Sequence, residues 1–202
     1  MPDYVRTIAP NLWRWTAAHP EWPPKAPPDS PNYWPQMVGS VLYTNGEAAV
    51  FIDPQLPPDP DSFWPWADER VQDRRVAVLT TLKWHRRNRD DVAERYGAST
   101  SRAKPNLPEG VESLTLRGAG ETVFWLPEPR ALIPGDRILG AEHGRLRVCP
   151  ESWVRYLGTG LTTAKLKSHM KPLLDLPVEH VLVSHGEPVI GNARRALAEA
   201  LA

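Results

Sequence analysis

Val76-Ala77-Val78-Leu79-Thr80-Thr81-Leu82-Lys83-Trp84-His85-Arg86-Arg87-Asn88, continued by Arg89-Asp90-Asp91-Val92-Ala93-Glu94-Arg95-Tyr96-Gly97, passes from strand to loop to helix within 22 residues. Val76 to Leu79 is an apolar, β-branched run of the kind that makes a buried strand. The segment closing at Gly97 is polar and compatible with helix, and its glycine can take the left-handed conformation that ends one. Between the two, a short loop carries Lys83, His85 and Arg86. Such a strand–loop–helix unit sets its loop side chains at the carboxyl end of a strand, where α/β proteins build sites.

Upstream, Val5 to Trp15 reads as a first strand with Leu12, Trp13 and Trp15 as its bulky members. A Pro/Trp-rich loop follows at about 19–35. Its prolines forbid helix and central strand, so the sequence predicts an extended or polyproline surface loop that covers a site or meets another subunit. Met37 to Thr44 is a strand, Asn45-Gly46 its tight turn, and Ala48 to Pro54 the return strand with Asp53 at its end. Phe63, Trp64 and Trp66 sit on a short helix that Asp61 or Ser62 is expected to cap.

Downstream, a proline-bearing loop from Lys104 to Gly110 precedes a strand at Ser113–Leu116. The turn Gly118-Ala119-Gly120 leads to a strand at Thr122–Leu126, and Pro127 to Arg130 bends it into Ala131-Leu132-Ile133, which ends in Pro134-Gly135-Asp136. Apolar residues near helical spacing predict a helix over Thr162–Leu174. Val181-Leu182-Val183 is the last strand, ending in Ser184-His185-Gly186, and a helix from Asn192 closes the chain. Strands thus come in two groups, each followed by helix. This pattern predicts an α/β (α+β) single domain over 1–202, an αββα four-layer sandwich of two mixed sheets between helical layers. Polar residues gather at the strand ends: Asp53, the Lys83/His85/Arg86 loop, Asp136 and His185.

Composition narrows the partners. Equal counts of Lys+Arg and Asp+Glu, 24 each, give no reason to expect a polyanion, and the basic run Arg86-Arg87-Asn88-Arg89 is followed at once by Asp90 and Asp91. No nucleic-acid partner is expected. One cysteine, Cys149, excludes an intrachain disulfide and a cysteine-based zinc site. No apolar run is long enough to span a bilayer and no signal-peptide core is present, which predicts a cytoplasmic protein without a membrane partner. The 9 tryptophans point to cavity walls or a homo-oligomer interface as well as core.

From about residue 37 to 195, the order of these motifs resembles the metallo-β-lactamase-fold superfamily, which consists mostly of zinc- or iron-dependent hydrolases. The Gly39-Ser40 strand, the hairpin with Ile52-Asp53-Pro54, Gly120 to Glu128, Pro134-Gly135-Asp136 and Ser184-His185-Gly186-Glu187-Pro188 fall where the family's elements fall. The resemblance implies a two-metal centre whose ligands begin with His-x-His-x-Asp-His after Leu-Thr. In this chain Thr81 and Lys83 take the first two histidine places, His85 the aspartate place and Arg86 the last histidine place. Arg117 aligns with the third histidine of the first metal, Asp136 with the bridging aspartate and His185 with the final histidine.

The first metal position is therefore offered Thr81, Lys83 and Arg117, and protonated lysine or arginine has no lone pair to give. Two readings follow. In the favoured one the dinuclear centre is lost and no cofactor is held. Lys83 and Arg86, with Arg117, then neutralise Asp136, and a cationic pocket with Trp84 in its wall serves as a binding or structural module for a small, anionic ligand. In the other, His85, Asp136 and His185 hold one zinc in a hydrolase of an ester, thioester or related bond, with Lys83 or Arg86 stabilising the oxyanion. His19, His143, His169 and His180 have no aligned role and are expected on the surface, and Cys149 is expected to be a buried, unreactive thiol.

Overall fold

The computed structural model describes residues 1–27, 30–98 and 107–202. Pro28-Asp29 of the Pro/Trp-rich loop and the part of the Lys104–Gly110 loop up to 106 lie outside the described residues. The first sheet is formed, in spatial order, by β1 (Val5–Ala9), β2 (Leu12–Ala18), β3 (Met37–Thr44), β4 (Ala48–Ile52) and β5 (Arg75–Leu79). The second runs β12 (Val189–Ile190), β11 (His180–Val181), β8 (Ala131–Ile133), β7 (Glu121–Leu126) and β6 (Glu112–Leu116). A separate antiparallel pair, β9 (Ile138–Ala141) with β10 (Arg145–Val148), follows Asp136. The helices are α1 (Pro60–Val71), α2 (Arg89–Tyr96), α3 (Glu151–Arg155), α4 (Thr163–Met170) and α5 (Ala193–Leu201).

Strand alternation explains the layering. Val41, Tyr43, Val50 and Ile52 from the first sheet meet Phe124, Leu126, Ala131 and Ile133 from the second in one buried cluster. The intervening residues Leu42, Ala49 and Phe51 point the other way, into a cluster with Phe63, Trp66 and Val71 of α1 and Val92 and Ala93 of α2. On the far side, Val123, Trp125 and Leu132 pack against Trp153 of α3, Leu166 and Met170 of α4, and Ala196 and Leu197 of α5. Period-two strands with both faces buried must be covered on both sides, and the result is the predicted αββα sandwich. Full burial of a side chain such as Phe51 or Leu126 stabilises by roughly 1.5–3 kcal/mol.

Several expectations change in detail. The single strand over Val5–Trp15 is a hairpin, because Pro10 cannot donate to a ladder and Asn11 adopts φ 61°. Helix α1 starts at Pro60 with Asp59 at its N-cap and no side-chain cap bond, so neither Asp61 nor Ser62 has the capping place. The strand expected at Val181–Val183 is the shorter β11, His180–Val181, and it has an antiparallel partner in β12, which is the last strand. The predicted Thr162–Leu174 helix is α4, capped by the Thr162 side chain and ending in a 3₁₀ turn. Among the described residues, no helix is long and apolar enough to cross a membrane.

Two pairs of strands are parallel, β4 with β5 in the first sheet and β8 with β11 in the second. Parallel neighbours present their carboxyl ends on the same side, so each pair delivers two loops to one place. Residues 53, 81–88, 134–137 and 184–186 are those loops. The sheets are joined there as well. β3 pairs with β4 only from Val41 onward, and on the strand start left free Gly39 N donates to Ser184 O at 2.7 Å.

Candidate metal centre

His85, Asp136 and His185 are buried together at this junction, with one ligand atom of each within 4.8 Å of the others. Among the described residues they are the group of three or more His, Cys, Asp or Glu side chains gathered closely enough to hold an ion. His85 Nε2 lies 3.0 Å and His185 Nε2 3.3 Å from Asp136 Oδ1. Neither ring nitrogen makes a hydrogen bond of acceptable angle to that oxygen, which is buried without a hydrogen-bond partner, as is His185 Nδ1.

Around these three atoms stands a set of orienting groups. Asp53, held at φ 48° just past β4, accepts at Oδ2 from Thr81 Oγ1 (2.5 Å) and faces His85 Nδ1 at 2.8 Å, while its Oδ1 accepts from Thr81 N at 2.8 Å. A proton on His85 Nδ1, donated to Asp53, leaves the Nε2 lone pair free for a metal ion. Trp84 Nε1 donates to Asp136 Oδ2 at 2.9 Å and fixes the carboxylate's rotation. Trp34 and Trp153 flank His185 at 5.8 and 5.7 Å between ring centres. The Pro/Trp-rich loop therefore reaches the site through Trp34, which also packs against His19.

The electrostatics follow from burial and opposite charge. Burial alone would lower the His85 pKa, but Asp136 and Asp53 on its two sides push it up to about 9. Burial alone would raise Asp136, and the His85 and His185 imidazoles instead hold it well below the usual carboxylate range. For His185 burial dominates and lowers the pKa, Asp136 offsetting only part of the effect. These directions describe the metal-free side chains.

The cations lie elsewhere than the sequence suggested. Lys83 is exposed, its ammonium 5.9 Å over the Trp84 ring. Arg86 is exposed and paired with Asp90 one helical turn on, at 3.0 Å. Arg117 is exposed on the turn after β6. None of the three contacts Asp136. A guanidinium at the site belongs to Arg87, a member of the basic run Arg86-Arg87-Asn88-Arg89. It reaches inward from φ 41°, donating to Gly39 O (2.7 Å), Asp53 O (2.8 Å) and Ser184 Oγ (3.0 Å). No residue pattern marks such an inward turn. Thr81 does lie in the cluster, fully engaged by Asp53 and His85.

Other expectations divide. Cys149 is buried, and burial pushes its thiol up to about 11 despite nearby Arg137. His143 and His169 are exposed, whereas His19 and His180 are half-buried, correcting their assignment to the surface. His19 is covered by Trp34 and His180 by pairing within the second sheet.

The donor set fits a single divalent ion. It consists of two imidazoles and a carboxylate, with Asp53 and Trp84 supplying the outer hydrogen bonds that usually hold such ligands, and an otherwise orphaned buried oxygen at its centre. No protein-family model matches the sequence, and a search of curated proteins found no match. Solved structures do match. DIM-1 metallo-β-lactamase, 10% identical, aligns over 98% of this chain and 94% of its own with a TM-score of 0.61. An NDM_FIM-1-like metallo-β-lactamase from Erythrobacter litoralis in a mono-zinc form, 15% identical, aligns over 98% and 94% with a TM-score of 0.58. A metallo-β-lactamase from Pontibacter korlensis, 17% identical, aligns over 98% and 96% with a TM-score of 0.54. With two helix-flanked mixed sheets aligned end to end on these proteins, the chain has the metallo-β-lactamase fold.

Proposed function

We propose that this protein is a metal-dependent hydrolase reduced to one ion, held by His85, Asp136 and His185, and acting on an ester, thioester or related bond of a small molecule. The observation that carries the reading is Asp136 Oδ1. It is buried, is met by no donor in good hydrogen-bond geometry, and has the Nε2 atoms of two imidazoles 3.0 and 3.3 Å away. Three lone-pair atoms gathered in this way are satisfied together by a shared cation. The metal-free account that the sequence favoured needed Lys83 and Arg86 to neutralise Asp136, and both face solvent.

A bound divalent ion would supply a Lewis acid and a water of lowered pKa. The chain's own residues do the rest. Asp53 keeps the proton on His85 Nδ1, Trp84 holds Asp136 in one rotation, and the rings of Trp34 and Trp153 shield His185 from bulk water. Arg87 is a fixed cation in the wall and favours an anionic ligand by its field, while its hydrogen bonds are taken by the protein. The first metal position of the family, at Thr81, Lys83 and Arg117, offers no imidazole, which supports one ion rather than two.

One observation favours a second reading without metal. His85 has a carboxylate at each ring nitrogen, so as an imidazolium it neutralises the site with Arg87 against Asp53 and Asp136. Metal analysis of protein purified without a metal-affinity tag separates the two. The mononuclear reading expects about one zinc-like ion per chain, lost in His185→Ala and Asp136→Ala while both variants stay folded. Wild-type protein that stays metal-free after dialysis against zinc overturns it in favour of the second.

A further inference from the structure

Glu121 is the most completely buried carboxylate in the described molecule, 1% exposed, and the ligand set does not use it. It opens β7, directly after the turn Gly118-Ala119-Gly120. Its Oε1 accepts from Gly135 N at 3.0 Å, and its Oε2 accepts from Asp136 N at 2.8 Å and Arg137 N at 3.0 Å. Three consecutive amides of the loop carrying the Asp136 ligand thus converge on one side chain. On the other side, the Glu121 backbone forms a bridge with Leu82, and Thr122 N donates to Thr81 O at 2.8 Å. Thr81 in turn touches Asp53 and His85. One residue therefore ties the His85 loop by its backbone and the Asp136 loop by its carboxylate.

The packing between the two loops leaves no slack. A Cβ on Gly135 would come within 2.6 Å of Thr81 Oγ1, 2.7 Å of Leu82 Cδ1 and 3.0 Å of Glu121 Oε2, so glycine alone lets the loops approach this closely. Arg137 lies behind the carboxylate, 3.9 Å away and 2% exposed, and supplies the counter-charge that buried acceptor groups require. An isolated structural carboxylate would not need to sit where two ligand-bearing loops meet, nor to take every amide of one of them.

We infer that Glu121 is a positioning residue of this site: it fixes Asp136 Oδ1 relative to the Nε2 atoms of His85 and His185 by holding the amides of residues 135–137. The inference rests on the metal reading above only for its effect on affinity, since the placement of Asp136 against two imidazoles exists without an ion. Glu121→Gln keeps the size of the side chain but turns one acceptor into a donor facing N–H groups, so at least one of the three amides loses its partner.

The test has two arms. In the first, cobalt(II) is titrated into metal-stripped wild type, Glu121→Gln and Glu128→Gln, with the d–d absorption of the bound ion as the readout. Glu128, an exposed residue, accepts from the Tyr43 hydroxyl at the far end of β7, away from the ligands, and controls for the loss of a hydrogen-bonding glutamate charge. Glu121→Gln is expected to bind roughly tenfold or more weakly with an altered spectrum, as for other outer groups of metal ligands, and Glu128→Gln to bind as wild type. In the second arm, imidazole ¹⁵N–¹H correlations are recorded without metal. The His85 and His185 signals are expected to move in Glu121→Gln, and those of His143 and His180 to stay. If Glu121→Gln does not fold, Glu121→Asp, which retracts the same charge by one methylene, is expected to give the same changes in reduced size. Wild type that takes up no cobalt overturns the metal reading, and the second arm then decides Glu121 alone. A folded Glu121 variant with unmoved His85 and His185 signals, or with wild-type cobalt affinity and spectrum, overturns the positioning role.

Discussion

Replacing Arg87 by methionine should be among the most damaging single changes outside the apolar core, whereas the same change at its neighbour Arg86 should hardly register. Arg87 donates to Gly39 O on β3, Asp53 O at the end of β4 and Ser184 Oγ after β11, so it staples the first sheet to the second at the site. A hydrogen bond from a charged donor contributes about 1.5–3 kcal/mol net, and three made by one group do not simply add. Removing the cation also strips compensation from buried Asp53 and Asp136, a loss of about 3–5 kcal/mol in comparable buried clusters. At roughly 2–4 °C per kcal/mol for a chain of this size, Tm should fall by roughly 6–20 °C. Arg86 makes an exposed i,i+4 pair with Asp90, for which about 0.3–0.5 kcal/mol is expected and a Tm shift under about 2 °C. Urea and thermal unfolding of Arg87→Met, Arg86→Met and wild type, followed by circular dichroism at one pH, give the comparison. If the two variants lie within about 1 kcal/mol of each other, the inward-turned Arg87 and the two-sheet staple are wrong.

Asp53→Asn replaces the acceptor facing His85 Nδ1 with a group that can also donate; zinc or cobalt affinity of the folded variant should drop about 10–100-fold, read by competition with a chromophoric chelator. Cys149 should resist a thiol reagent at pH 8 in the native protein and react stoichiometrically in denaturant, because a pKa near 11 leaves about one thiolate in a thousand and the thiol is buried. In metal-stripped protein, the His85 pKa lies near 9 against an unfolded value near 6.5, so the native state holds the extra proton between them. That contribution to stability is fully present below about pH 6.5 and lost as pH rises toward 9. Denaturation at pH 6 and pH 9 should show the decline, and His85→Asn should flatten it.

The layer order and most strand positions were legible in residue pattern alone. Continuous apolar runs in Val41–Tyr43, Val50–Ile52 and Val123–Leu126 can only be buried by cover on both faces, and Asn45-Gly46 fixes one hairpin. The ends of strands were legible too, so the sequence alone sets Asp53, His85, Asp136 and His185 apart as a group. What failed locally had local causes: Pro10-Asn11 divides a stretch that reads as one strand, and the short pair β9–β10 has too few residues for a periodic signal.

Side-chain direction in a loop has no such code. Lys83, Arg86 and Arg87 are equivalent cations in the sequence, and only the backbone turn at Arg87, with φ 41°, sends one of them inward while the other two meet water. Glu121 is another case, an acidic residue at a strand start whose three amide partners lie fourteen to sixteen residues away. The sandwich follows from the sequence, because an apolar run that must be covered on both faces is a property of neighbours along the chain. The tertiary structure alone decided which charges face His85 and Asp136, because in a buried site that depends on packing between loops that the chain brings together from four different strands.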